Sequence, residues 1–423
     1  MDLGGSTFNI YLGGYTNEDF DYEINDKGDI INDAVYERAL KVENRLNIKI
    51  SSEWNNDYDN WPTVVRSAVT AGDSSIDFVC GDQLRTYKLT YEDILVDWNT
   101  LEYVNLDNPW WDDGIMEELN FGNKILMATG DIVISNLSQT CVLIFNKQMM
   151  TDNNLAYPYE MVNNGTWTSD KLVEYAKVVL NDIDSDGQYT ADDVYGLSGW
   201  SNEIGMNFTA AYGIRFISKD ENDLPVDTIY SELNNAKMQK ITDMFATNGG
   251  AYENYKEWAL DMDMFKAGRL LFEDTRFTSL SSFRGMTSDF GIIPHPKYDE
   301  EQESYNCRVS NVGTVVVIPN TNSRIVETSA VLEALAKESY YTTTPAFFDV
   351  SLTIKATRDD ESEGMLSVIR NAKCYQCELT SWGQLKIMGM TQTGTNNFTT
   401  LYNSAKSAIA QEIEKMANAY TAQ

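Results

Sequence analysis

Apolar residues recur along the first ninety positions in two alternating rhythms. F-N-I-Y-L (8–12) is a short apolar run with strand character, and A-V-Y-E-R-A-L-K-V-E-N-R-L (34–46) carries its apolar positions at helical spacing. I-K-I-S-S-E-W (48–54) returns to the strand pattern. W-P-T-V-V-R-S-A-V-T-A-G (61–72) reads as a helix, with Pro62 in the first turn, where its missing N–H is harmless, and Gly72 at the end. I-D-F-V-C-G-D (76–82) reads as a buried strand. Strand, helix, strand, helix, strand predicts an α/β fold built on a mostly parallel sheet, which binds ligands beyond the carboxyl ends of its strands. That rule points at Gly13–Phe20, Trp54–Trp61 and Gly81–Gln83.

The alternation resumes farther on. T-C-V-L-I-F-N-K-Q-M-M (140–150) is a strand running into a turn, and G-T-W-T-S-D-K-L-V-E-Y-A-K-V-V-L (165–180) is a helix with Thr168 as N-cap and Asp170 in its first turn. Helices are predicted around 233–247, 325–338 and 399–419, with strand character at 289–294 and 313–319. No Pro-rich linker, strict repeat or low-complexity tract divides the chain, so it is expected to pass between two units several times.

The segment N-D-I-D-S-D-G-Q-Y-T-A-D-D-V-Y-G-L-S-G-W (181–200) places three carboxylates at alternate positions. A twelve-position loop offers Ca²⁺ its oxygens from positions 1, 3, 5, 7, 9 and 12. Counted from Asp182, these are Asp182, Asp184, Asp186, Gln188 through its carbonyl, Thr190 and Asp193. Gly187 falls at the sixth position, where the chain turns sharply. Asp193 stands where the longer Glu is usual. The competing reading is an acidic turn with no ion. V-Y-G-L-S-G-W is too rich in glycine to be a second helix, and the loop occurs once, so the calcium expected here is structural and not a sensor's.

Composition narrows the function classes. The 423 residues hold 32 Lys and Arg against 64 Asp and Glu, a net charge of −32 that would repel nucleic acid and anionic lipid. No apolar run approaches the roughly 18 residues needed to span a bilayer. The N-terminal M-D-L-G-G-S-T-F-N-I-Y-L lacks the basic and apolar regions of an export signal, and is expected to begin after a removed one. Five scattered cysteines form no disulfide framework, and Cys374-Y-Q-Cys377 is expected as a local disulfide or two free thiols. His295 is the sole histidine, between Pro294 and Pro296, where a surface turn is expected. Histidine-dependent triads, zinc sites and iron facial triads are thereby excluded.

The ordered set V-L-I-F-N-K (142–147), G-T-W-T-S-D-K-L (165–172), D-I-D-S-D-G-Q-Y-T-A-D-D-V-Y-G-L (182–197), F-K-A-G-R-L-L-F (265–272), D-F-G-I-I-P-H-P-K-Y-D-E (289–300) and V-G-T-V-V-V-I-P (312–319) resembles the extracellular solute-binding proteins of bacterial ABC importers. The likeness is greatest to the carbohydrate-binding branch that includes maltose-binding protein, and it spans Phe8 to about residue 420. It implies two α/β lobes that close on a solute like a hinge, with chain crossings near Ile134–Val142, Phe272–Arg276 and Asn320–Thr328. The first lobe is then expected to comprise 1–138 and 277–324, and the second 139–276 and 325–423. The resemblance also implies a monomer without enzymatic activity, a membrane permease as partner, and a lipid-anchored place outside the cell.

Sugars present hydroxyl edges and apolar faces, so their sites need carboxylates, amides or Arg beside aromatic platforms. Trp54 and Asp82 follow the carboxyl ends of predicted strands, with Tyr15 a weaker neighbour. Asp82 matches a hydroxyl-binding carboxylate of sugar-binding relatives, and serves equally as a helix N-cap. Trp200 follows the acidic loop at the place where relatives approach the ligand from the second lobe. Asp274 and Arg276 lie on an expected crossing strand, as ligand contacts or as an interlobe ion pair. Trp382 and Tyr402 complete the set, Tyr402 near a family position that often carries an aromatic. A glycoside hydrolase with paired carboxylates would also need no histidine, and the same fold could hold a peptide or polyamine.

Overall fold

The computed structural model describes residues 1–14, 17–20, 30–254, 257, 259–353 and 360–421. Twelve strands occur among them: β1 (Ser6–Gly13), β2 (Ile48–Asn55), β3 (Phe78–Asp82), β4 (Cys141–Asn146), β5 (Tyr195–Gly199), β6 (Ile217–Lys219), β7 (Pro225–Asp227), β8 (Leu270–Arg276), β9 (Phe290–Ile293), β10 (Cys307–Arg308), β11 (Thr314–Val317) and β12 (Lys373–Cys374). They form two four-stranded sheets, ordered β11-β3-β1-β2 and β5-β8-β4-β9, and two minor pairs.

In the first sheet β1 runs parallel to β2 and β3, with Leu12 opposite both Trp54 and Cys80, and β11 closes the edge antiparallel to β3. The helix Trp61–Thr70 carries Pro62 in its first turn and ends before Gly72, whose φ of +69° is the left-handed conformation expected there. Its Trp61 is fully buried beneath two strand ends. A Cβ on Gly13 or Gly81 would come within 2.3 Å of that indole, so both positions need glycine for the ring to fit. The core beneath this sheet joins Phe8, Ile10 and Leu12 to Val331, Leu332 and Leu335.

The second sheet is mixed: β5 is parallel to β8, and β4 runs antiparallel to both β8 and β9. The helix Ser169–Val179 lies on β5. Thr168 occupies its N-cap position with extended backbone but makes no side-chain capping bond, and Asp170 sits in the first turn.

Two of the expected crossings are displaced. The stretch 262–276 is a helix, Leu260–Lys266, followed by β8, and β8 is hydrogen-bonded on both sides within the second sheet. Its residues Leu270–Thr275 are all buried, which suits an interior strand and not a connector. β9 belongs to the same sheet, so the return to the first sheet lies between Ile293 and Thr314. The helix Ile325–Tyr341 packs in the first core, and Thr343–Thr353 still packs on the helix Ile30–Leu46. The helix Asp360–Asn371 lies against β9, so the third passage falls beyond Thr353 and not at 320–328. The first passage falls where Val133 packs in the first core and Ile134 in another.

None of the five cysteines is in a disulfide, and all five are buried. No described helix is long and apolar enough to cross a membrane.

Candidate ligand-binding cleft

On the second lobe a cavity of about 40 Å³ opens where the carboxyl ends of β5 and β8 meet. The two strands are in parallel register, with Gly199 opposite Asp274. A Cβ on Gly199 would lie 2.7 Å from the Asp274 Cβ, so glycine lets the strands end side by side. Trp200 follows at the N-cap position of the helix Ser201–Ala211 and lines the cavity with Glu203, Asn207, Asp261, Glu273, Asp274 and Arg276. Asp274 is buried and accepts from Asn207 Nδ2 at 2.9 and 3.2 Å.

His295 is not on the surface. Its ring is fully buried, with Nε2 3.3 Å from Asp274 Oδ1 and an edge-to-face contact on Phe208. The flanking prolines marked a turn, but the imidazole behind them points at the one acidic strand end in reach, which pattern reading does not convey.

Arg276 donates to Gln139 Oε1 at 2.8 Å and lies 3.9 Å from Glu203 Oε2. Glu203 also accepts from Ser310 Oγ at 3.0 Å, and its Oε2 stands 3.9 Å from Arg308. Arg308 is buried and donates to Asn207 Oδ1 at 3.2 Å. Burial opposes its charge, yet Glu203 and Glu378 outweigh that and hold its pKa above the usual value. Asp261 accepts from Asn254 Nδ2 at 3.0 Å, and burial raises both its carboxyl and that of Glu273, Glu273 well above the usual range. Asp261, Glu273, Glu203, Asn207 and Arg308 had not been singled out by sequence. The acidic pair in the otherwise apolar opening of L-L-F-E-D-T-R was the one available signal.

On the first lobe Trp54 sits at the end of β2, 42% exposed, its Nε1 donating to the Gly14 carbonyl at 2.9 Å. Asp82 takes the capping role. It is fully buried and accepts from the Arg85 N–H at 3.0 Å and from Trp61 Nε1 at 3.0 Å. Arg85 Nη1 adds a contact at 3.2 Å. Tyr15 lies outside the described residues.

Trp382 and Tyr402 do not line the second-lobe cavity. Trp382 is 1% exposed, packed edge-on against Phe398 and Tyr402. Tyr402 stacks on Tyr230 at 5.2 Å and donates to Asp227 at 2.8 Å. Aromatics on adjacent helical and loop segments satisfied one another in a core, an outcome that local sequence does not distinguish from a platform.

The acidic loop is closed at its base by reciprocal bonds between Asn181 and Val194, at 3.1 and 3.0 Å, and leads directly into β5 and Trp200. Gly187 has φ +80°, and its N–H donates to Asp182 Oδ2 at 2.8 Å. Oxygens of Asp182, Asp184 and Asp193 lie within 4.8 Å of one another. Asp182 Oδ1 is buried with no hydrogen-bond partner, which fits a cation held there. The Asp186 N–H pulls the Asp184 pKa down, but desolvation and its acidic neighbours leave it raised. Asp193 accepts N–H bonds from Thr190 and Ile183 that lower its pKa. Asp186 stands apart, accepting from Gln188 at 2.7 Å, and Thr190 Oγ1 contacts Asp193 at 3.3 Å.

No family model and no curated protein matches the chain. Solved structures do, and they show its fold, that of two-lobed solute-binding proteins of ABC transporters. A cyclo/maltodextrin-binding protein complexed with maltotetraose has a TM-score of 0.64 and 16% identity, covering 97% of this chain and 98% of that one. The galacto-N-biose-/lacto-N-biose I-binding protein of Bifidobacterium longum, with lacto-N-biose, gives 0.65 and 12% over 98% and 99%. An ABC substrate-binding protein of Listeria monocytogenes with cycloalternan gives 0.61 and 13% over 97% and 99%.

Proposed function

We propose that this chain is the solute-binding component of an ABC importer, capturing a carbohydrate in the cleft between its lobes and delivering it to a membrane permease. The observation that carries the reading is the second-lobe cavity, where Trp200 stands beside Asn207, Arg276 and four carboxylates. An indole covers the apolar face of a sugar ring while carboxylates, amide and guanidinium bind its hydroxyls. Trp54, held by Gly14, supplies a second apolar face from the first lobe. Ligand contacts made to both lobes favour the closed form, and no step of the work requires bond chemistry. The setting is extracellular, with the monomer tethered by a lipid anchor.

Calcium belongs to the same reading. Asp182, Asp184 and Asp193 would hold it, with the Gln188 carbonyl, Thr190 and Asp186 drawn in, and it would supply the charge neutralisation that this loop lacks. Because the loop feeds β5, holding it also fixes Trp200.

The test is a thermal-shift screen of mono- and oligosaccharides with and without EDTA, followed by calorimetry on each hit. Ligand at a hundredfold excess over Kd is expected to stabilise by about 3 kcal/mol, and calcium to do so separately. Glycan turnover in place of stoichiometric binding would overturn the capture reading; a melting curve indifferent to calcium would overturn the metal.

A further inference from the structure

The cavity beside Trp200 holds about 40 Å³. That space admits a small polar head group. Its four carboxylates are unequally provided for. Asp274 has Asn207 and His295, and Glu203 has Ser310, with Arg276 and Arg308 beside it.

Among the described residues, neither Glu273 nor Asp261 has an ion-pair partner of this kind. Glu273 is 1% exposed, and among the described residues its Oε2 meets no N–H or hydroxyl donor. Its hydrogen-bonding neighbour is the carboxyl of Asp261, from the facing helix. Among the described residues the cation that acts on Glu273 is Lys266, which is engaged at the surface with Asp263 at 3.2 Å. Asp274, next on the strand, adds further negative charge.

We propose that this cavity takes a primary ammonium carried on the captured sugar, so that the preferred solute is an amino sugar or an oligosaccharide that contains one. The proposal rests on the carbohydrate-capture reading. Glu273 and Asp261 meet carboxyl to carboxyl, and a hydrogen bond between two acceptor-only carboxylates needs a proton on one of them in the free protein. On binding, the ammonium keeps its own proton and donates N–H bonds to Glu273 and Asp261, while the shared proton leaves for solvent. A neutral hydroxyl offers a single donor and no charge, and an N-acetyl group has one N–H and no charge either.

The experiment is calorimetric titration of glucosamine and its oligomers against the glucose and N-acetylglucosamine counterparts of the same linkage, in buffers of different ionisation enthalpy. Free-amine ligands are expected to bind about tenfold tighter or more, with proton release to the buffer. Glu273→Gln is expected to bring the ratio close to one. The wild-type proton release is an independent readout should that variant not fold. Neutral ligands binding as tightly as the amines, or binding of the amines without proton release, would overturn the amine assignment and leave carbohydrate capture standing. Failure of all three sets to bind would remove the capture reading and the amine with it.

Discussion

Trp200 and Asp82 show how two side chains at equivalent strand ends divide between binding and structure. Trp200 lines a cavity, so Trp200→Ala is expected to lower sugar affinity by about 10- to 100-fold with little change in melting temperature, as read by calorimetry and thermal denaturation. Asp82 is spent on Arg85 and Trp61. Asp82→Asn is expected to cost about 1–2 kcal/mol of stability in denaturant titrations while sugar affinity holds. Glu253 sets a pH dependence. Burial, opposed by Ser201, raises its carboxyl from 4.5 to about 7. The folded state then binds this proton more tightly than the unfolded state, so stability is lost as pH rises from 4.5 through about 7. Glu253→Gln is expected to melt higher than wild type at about pH 8 and alike at about pH 4; a constant gap would refute the assignment.

At the scale of elements, the periodicity of the sequence located what local physics decides. F-N-I-Y-L and I-K-I-S-S-E-W became the paired β1 and β2, and the Pro62-to-Gly72 helix lies where spacing placed it, whereas the strand β5 that follows the acidic loop had not been expected. Partner choice was not legible. Nothing within L-L-F-E-D-T-R says that both its edges are taken, and nothing around His295, Trp382 or Tyr402 says that the ring faces inward. Burial is decided by segments far away in sequence, such as Phe208 for His295 and Tyr230 for Tyr402. Gly199 makes the corresponding prediction. Gly199→Ala presses a methyl against Asp274, and is expected to cost about 1–3 kcal/mol and to weaken sugar binding by moving Trp200. Equal stability and affinity in that variant would mean that β5 and β8 separate freely.

For the whole molecule, the fold was legible from six ordered motifs, and so was the first crossing, but the other two were not. The chain changes lobes after β9 and again beyond Thr353, in places where no linker composition marks the change. Contacts already span the lobes. Arg370, on the helix packed against β9, reaches Asp131 at 3.3 Å, beside first-core residues Ile132 and Val133. A bound sugar that bridges the lobes is expected to reduce the radius of gyration in small-angle scattering, and unchanged scattering at saturation would argue against hinge closure.

The cysteines give the molecule a clock of its own. Cys80 lies inside the first sheet and Cys141 inside the second, and burial pushes both thiols well above their ordinary pKa. A native thiol of this kind is chemically silent, because the thiolate that would react is neither formed nor reachable. Each becomes reactive when its own sheet opens, so alkylation mapped by mass would time the opening of one half of the protein against the other, without any label being introduced.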